Sequence, residues 1–499
     1  MKRIDAVSAL LLALCLFALL ARLSAVPAMS LDEAWIGLYA GRLRSTGLFS
    51  AHQMNHYTGP LYGGIVAGLY DLLGFSHQTL RLPGAALNAA ALLGLWLHLR
   101  RRVSAEAAFT FALLTAGSAF YLMKGRLAWE VYALHPILIL GTAAALARPG
   151  AWPLLLAVTL VGAQNHFIYL SIPASLVVLF GARAAWKGEQ EAEGPLRDAL
   201  TALAAGLALA LVKNPISEES WAAHRAAWLA ALGAAPLLAA AAVRFAPGRI
   251  LLLPFQRLRG PLGILCALTL AAFGGWHLIP MIQVFAGPIV FKRLFSYELP
   301  FMISAALHLW GAFLAGVLVW NAVRAWHDKT LGFHERSLLL WPAAFAAVFI
   351  FFRHTSSLRY YSLPALLSAL ALAAALPRLA RRDLRGVYCC ALAAAFATQL
   401  FLLREIASPG DRQPLKFRVG WRKENSKDFA RKEGLFAAFD ASRACHIGHP
   451  ERSFTAIPLF FHRVEKPAAC DPALTFDADQ CPECPGAPYY RWTVVPAAK

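Results

Sequence analysis

Asp32 and Glu33 stand side by side in a polar stretch, residues 28–62, that begins where the first long apolar run of the chain ends. An Asp at the bilayer centre costs about 2.5–3.5 kcal/mol, so adjacent carboxylates belong at a membrane boundary. A carboxylate held there can take a proton from a hydroxyl, an effect typically worth about 100- to 10,000-fold in rate. The pair also has a purely structural use. Asp32 suits an N-cap, and Glu33 suits the positive end of a helix running on through Ala40. His56 closes the same stretch, just before Tyr57, Thr58, Gly59 and Pro60. With Asp32 or Glu33 it could ligate a divalent metal, although a lone histidine is more often a hydrogen-bonding loop residue.

Cations and further polar residues recur in the same alternate set of loops: Arg81, then Lys124, Arg126 and Glu130, then Arg353, Arg359 and Tyr360. Arginine can hold phosphate oxygens bidentately, so carboxylates and cations gathered at one membrane face suit an anionic lipid headgroup and a hydroxyl acceptor. Taken singly, Arg81 and Arg359 also read as interfacial anchors that snorkel.

The elements that must position these residues are membrane helices. Of the 499 residues 59% are apolar and 15% charged, which is the composition of a polytopic membrane protein. The net charge of +19 would point a soluble domain toward nucleic acid, but in a membrane protein it is read loop by loop. No phosphate-binding glycine loop, dinucleotide fingerprint or zinc-finger spacing is present, so nucleic acid is not expected as a partner.

The run from Ala6 to Val26 is long enough to span, and small residues around Val26–Ala28 also fit a cleavage site. Either way the loop that follows is external. Residues 60–75 are apolar but short and are expected to lie at the interface as an in-plane helix. Further spans are expected over residues 81–99, 106–123 and 131–147, then two within 152–181, divided at Gln164, Asn165 and His166. The series continues over 199–212, 226–245, 262–284, 301–323, 338–352, 361–376 and 387–403. This gives about 13 transmembrane helices. With two spans in the divided run, more basic residues fall in inner loops than in outer ones, as the positive-inside rule prefers.

An odd number of spans leaves residues 405–499 outside as a small mixed α/β or β-rich domain, with residues 1–404 as the membrane module. Cys445, Cys470, Cys481 and Cys484 all lie in this tail, an even set that in an oxidising compartment predicts disulfides. A zinc site using some of them with His449 or His462 is the alternative.

Several stretches resemble a known family. Leu31-Asp32-Glu33-Ala34, Thr58-Gly59-Pro60-Leu61-Tyr62, Gly74-Phe75 with Arg81-Leu82-Pro83, and Arg126 with Glu130 are similar to the N-terminal half of polyprenyl-phosphate-dependent GT-C glycosyltransferases. That group includes protein O-mannosyltransferases and the aminoarabinose transferases that modify lipid A. Arg359-Tyr360-Tyr361-Ser362-Leu363-Pro364 resembles the segment that opens a late helix in the same group. The resemblance implies a GT-C-like fold and a catalytic acidic residue, Asp32, that deprotonates or orients the acceptor, with Glu33 beside it. It further implies a polyprenyl-phospho-sugar donor, an envelope acceptor, and inversion at the anomeric carbon. A bacterial inner membrane with the active face toward the periplasm is the matching location. Trp35 stands where aminoarabinose transferases carry an arginine, and Tyr57 and Thr58 stand where they carry a carboxylate and a lysine. The phosphate grip is therefore expected from Lys124, Arg126, Arg353 and Arg359. No cofactor is required by this reading beyond an optional divalent metal. A lipid or solute transporter, and a noncatalytic scaffold whose tail binds envelope partners, remain alternatives.

Overall fold

The first apolar run folds as α1 (Lys2–Leu20) and stops short of Val26, where a non-helical connection leads into α2 (Leu31–Thr46). The computed structural model describes residues 2–24, 26–27, 29–46, 58–148, 150–257, 260–261, 263, 265, 300–349, 358–378, 384–407, 433–448, 453–480 and 490–497. After α3 (Leu61–Leu73), which packs between α2 and α4, comes α4 (His77–Arg102). Its 26 residues make a rod about 39 Å long, enough to cross a bilayer. Ser76 starts it by accepting a hydrogen bond from Thr79 N–H at 3.1 Å.

Serine caps also explain where expected spans break. Residues 106–123 form two helices, α5 (Ala105–Ala116) and α6 (Ala119–Lys124), because Ser118 accepts from Tyr121 N–H at 3.1 Å and opens the second one afresh. The apolar run after α7 (Glu130–Leu146) divides at Gln164, Asn165 and His166 into α8 (Trp152–Asn165) and α9 (Ser171–Lys187). Then follow α10 (Glu193–Lys213), α11 (Glu218–Arg244), α12 (Gly248–Arg257), α13 (Phe301–His327), α14 (Phe333–Phe349), α15 (Ser362–Ala375) and α16 (Leu384–Ala407). The span expected at residues 262–284 lies almost wholly outside the described residues.

Six helices among the described residues are long and apolar enough to cross a membrane, and five further apolar helices are shorter. The expected count of about 13 took each apolar run as one rod of some 20 residues; the Ser118 cap divides one such run into shorter helices, and the run at 262–284 lies almost wholly outside the described residues. The chain is nonetheless a multi-pass helical membrane protein. Its bundle packs α4 along α7 and α1, α10 against α8 and α11, and α14 against α9 and α15.

Beyond the bundle, α17 (Glu433–Ser442), β1 (Ala444–Ile447), α18 (Ser453–Glu465), β2 (Asp471–Gln480) and β3 (Tyr490–Pro496) form a small mixed unit. The sheet order is β1-β2-β3, with β1 and β2 parallel and β2 and β3 antiparallel. A parallel pair needs a crossover, which α18 supplies. Leu435, Phe439, Leu459 and Phe476 fill its core, and a Cys445–Cys470 disulfide ties β1 to the start of β2. Cys481 and Cys484 lie outside the described residues.

This unit docks on α2. The Phe461 ring of α18 is buried 4.8 Å from the Phe75 ring, and Glu465 Oε1 accepts from His77 N–H at 2.7 Å, serving a donor that α4 leaves unpaired at its start. The approach depends on Gly37, where a Cβ would lie 2.3 Å from Phe461 Cε2. Gly37→Ala is therefore expected to displace the ring at a cost of about 1–3 kcal/mol and loosen the tail. Faster proteolysis within residues 433–497 of the variant than of the wild type would show it; equal rates would mean that the ring relocates without penalty.

Candidate active site

Ser30 precedes α2 and builds a capping box with Glu33. Its Oγ accepts from Glu33 N–H at 3.2 Å, and Glu33 Oε2 accepts from Ser30 N–H at 3.0 Å. The cap is thus Ser30 and not Asp32, which lies inside the first turn, where the helix dipole favours negative charge.

The two neighbouring carboxylates have different surroundings. Glu33 has no exposed surface. Its Oε1 accepts from Arg81 Nε at 2.7 Å and from Ala128 N–H at 2.8 Å, while Arg81 Nη2 donates to Oε2 at 2.7 Å. Burial alone would raise the Glu33 pKa, but the charge and hydrogen bonds of Arg81, with help from His77 and Ala128 N–H, hold it well below the usual carboxylate range. Glu33 is thus ionised and fully engaged. Asp32, one residue earlier, is only half-buried.

Arg81 also donates through Nη1 to Leu23 O at 2.6 Å and Pro27 O at 2.8 Å. Arg126 grips the same connection, donating to Val26 O at 2.7 Å, to Ala21 O at 2.6 Å, to Arg22 O at 2.9 Å and to Ala18 O. The last carbonyls of a helix have no partner within it, so Arg126 caps the C-terminal end of α1. Sequence reasoning expected Arg81 and Arg126 at a lipid phosphate, yet their guanidinium groups are occupied by Glu33 and main-chain carbonyls. They fix the path from α1 into α2, and with it the place of Asp32.

Residues 125–130 link this arrangement to a second one. Ala128 N–H faces Glu33, whereas Asn165 Nδ2 donates to Glu130 O at 3.0 Å. Gly59 N–H donates to Asn165 O at 3.0 Å, and Thr58 pairs with His166 as an isolated bridge. A Cβ on Gly59 would sit 1.7 Å from Gln164 O, so this close approach requires glycine. Lys213 Nζ donates to Gln164 O at 3.1 Å. Tyr360 comes within 6.1 Å of the His166 ring and 6.4 Å of the Trp129 ring, and Lys124 Nζ lies 4.9 Å from the Tyr132 ring centre. Burial, with His135 and Lys213 nearby, holds His166 well below the usual histidine range, and its neutral Nδ1 accepts from Ile168 N–H at 3.1 Å.

Lys124, Glu130 and Tyr360 therefore gather with Thr58 and Gly59, one short segment away from Asp32, Glu33, Arg81 and Arg126. Asn165, His166 and Lys213 join them without having been singled out in the sequence. For Asn165 and His166 the signal was the polar break at residues 164–166, read only as a span divider, and Lys213 had none. His56 and Arg353 lie outside the described residues, as does the side chain of Arg359. Among the described residues no group of three His, Cys, Asp or Glu converges on a metal position. Glu33, one of the expected ligands, has both oxygens engaged.

The multi-pass helical fold is similar to that of a membrane oligosaccharyltransferase of known structure. The similarity is to the oligosaccharyltransferase of Archaeoglobus fulgidus tethered with an acceptor peptide containing the NVT sequon (TM-score 0.52, 17% identity, 90% of this chain and 58% of that one). The same archaeal protein in complex with an inhibitory peptide and a dolichol-phosphate superposes at TM-score 0.51 with 16% identity, covering 88% of this chain and 57% of that one. ArnT from Cupriavidus metallidurans bound to undecaprenyl phosphate matches at TM-score 0.35 and 16% identity, covering 94% and 92% of the two chains. The chain spans a little over half the length of the archaeal oligosaccharyltransferase. No protein-family model matches the sequence, and no curated protein does.

Proposed function

We propose that this protein is an inverting glycosyltransferase that moves a sugar from a polyprenyl-phosphate donor to an envelope acceptor at the periplasmic face of a bacterial inner membrane. The observation that carries the proposal is the half-buried Asp32 in the first turn of α2, with its neighbour Glu33 locked to Arg81. The dolichol-phosphate and acceptor peptide bound by the archaeal neighbour support the substrate classes.

In the proposed reaction Asp32 takes the proton of the acceptor nucleophile, whose electron pair forms the new bond to the anomeric carbon. The bond from that carbon to the donor phosphate oxygen breaks, and the lipid phosphate leaves with the electron pair. Single displacement inverts the centre. Glu33, Arg81 and Arg126 act as positioning residues. Charge on the leaving phosphate falls to Lys124 and Lys213, joined by Arg353 and Arg359 from the late loop. Tyr360, Glu130 and His56 border the acceptor. A divalent ion at this site would draw on Asp32 and His56, since Glu33 is engaged. The tail packs against α2 and so shares the face of Asp32, which supports its placement as a periplasmic domain over residues 405–499.

The test is mass spectrometry of envelope lipids, glycans and proteins from a deletion strain with and without the wild-type gene. A defined sugar mass missing from the deletion and restored by the gene supports the reading and identifies the acceptor. An unchanged set of glycosylated species overturns it.

A further inference from the structure

The opposite end of the bundle carries a site of different chemistry. The C-terminal turns of α4 and α7 diverge over a cavity of about 270 Å³. Gly94, Leu140 and Ala144 line it together with His98, Arg101, Arg102 and Arg148. Arg101 and Arg102 end α4, seven and eight residues after Gly94, and Arg148 lies two residues past the end of α7, four after Ala144, so the cations from both chain segments meet at the gap. Leu140 meets α4 at Gly94, where a Cβ would lie 2.2 Å from its Cδ2, so the helices touch at this level and open only beyond it.

The three guanidinium groups are exposed, and among the described residues no carboxylate pairs with any of them. Arg100, by contrast, is held by Asp5 at 3.2 Å. Three cations without a carboxylate partner, set beside Leu97, Leu140 and Ala144, complement an anionic head with an apolar chain. α4 runs about 39 Å from His77, beside the candidate active site, to this cavity, which places it at the other bilayer surface. We propose that the cavity between α4 and α7 binds an anionic glycerophospholipid of the leaflet opposite the candidate active site, the phosphate held by Arg101, Arg102 and Arg148 and an acyl chain lying over Gly94 and Ala144. The proposal rests on α4 crossing the membrane and is independent of sugar transfer.

The test is native mass spectrometry of the full detergent-purified chain with phosphatidylglycerol, phosphatidylethanolamine or inorganic phosphate in separate arms. Wild type is expected to retain phosphatidylglycerol preferentially. Arg101→Gln/Arg102→Gln/Arg148→Gln should weaken it on the order of 100-fold, roughly fivefold for each arginine, while Arg100→Gln leaves it unchanged. Ala144→Phe keeps every charge and fills the cavity, so it should also release the lipid. Equal retention of the two lipids, or undiminished phosphatidylglycerol on the triple variant, overturns the proposal. So does displacement by inorganic phosphate combined with full retention by Ala144→Phe, which would make this a free-phosphate site.

Discussion

Asp32→Asn is expected to slow sugar transfer by about 100- to 10,000-fold, the range that a positioned general base contributes. The substitution keeps the side-chain shape and leaves the Ser30–Glu33 capping box untouched, so the fold should survive. What is lost is the capacity to accept a proton from the acceptor. Purified wild type and variant should therefore elute alike, unfold at similar temperatures and bind donor with similar affinity, differing in turnover alone. Full turnover by the variant would remove Asp32 from the chemistry. Because Glu33 is engaged, it is not available to take over the role.

The second large effect is on stability. Arg81→Met leaves Glu33 buried and ionised without its partner, a change that typically costs about 3–5 kcal/mol. It also frees the carbonyls of Leu23 and Pro27, so the connection from α1 to α2 loses one of its two grips. We expect little folded protein from the single variant and partial recovery from Glu33→Gln/Arg81→Met, in which no charge is stranded. Acid should act on the same pair. The folded-state pKa of Glu33 lies below an unfolded value of about 4.3, so its contribution is complete above that pH and is lost as pH falls through the folded value. Thermal unfolding of the detergent-solubilised wild type between pH 7 and pH 3 should show this loss, and the double variant should show less of it. Identical acid sensitivity would assign the effect to other carboxylates.

Much of this architecture could be read from residue patterns, and the omissions have physical causes. Apolar runs and the break at residues 164–166 were legible because hydropathy follows the solvent each segment must meet. The helix break at Gly117–Ser118 was hidden, since one serine cap barely alters the hydropathy of its window. The sequence Ser30-Leu31-Asp32-Glu33 is itself a capping-box pattern, in which Ser30 and not the equally cap-competent Asp32 takes the N-cap position. Glu33 and Arg81 lie 48 residues apart, and nothing local pairs them. The grip of Arg126 on main-chain oxygens was less accessible still, because a carbonyl acceptor exists at every position and so leaves no mark in the sequence.

The docking of α18 onto α2 also sets an order in time. Glu465 and His77 are separated by 388 residues, so at about 5–20 residues per second the brace on this region leaves the ribosome roughly 20–80 s after the helix it supports. A nascent chain already holding Asp32 in the membrane still lacks the contact that packs Phe461 over Gly37. Bracing of α2 thereby waits for synthesis of the chain through Glu465.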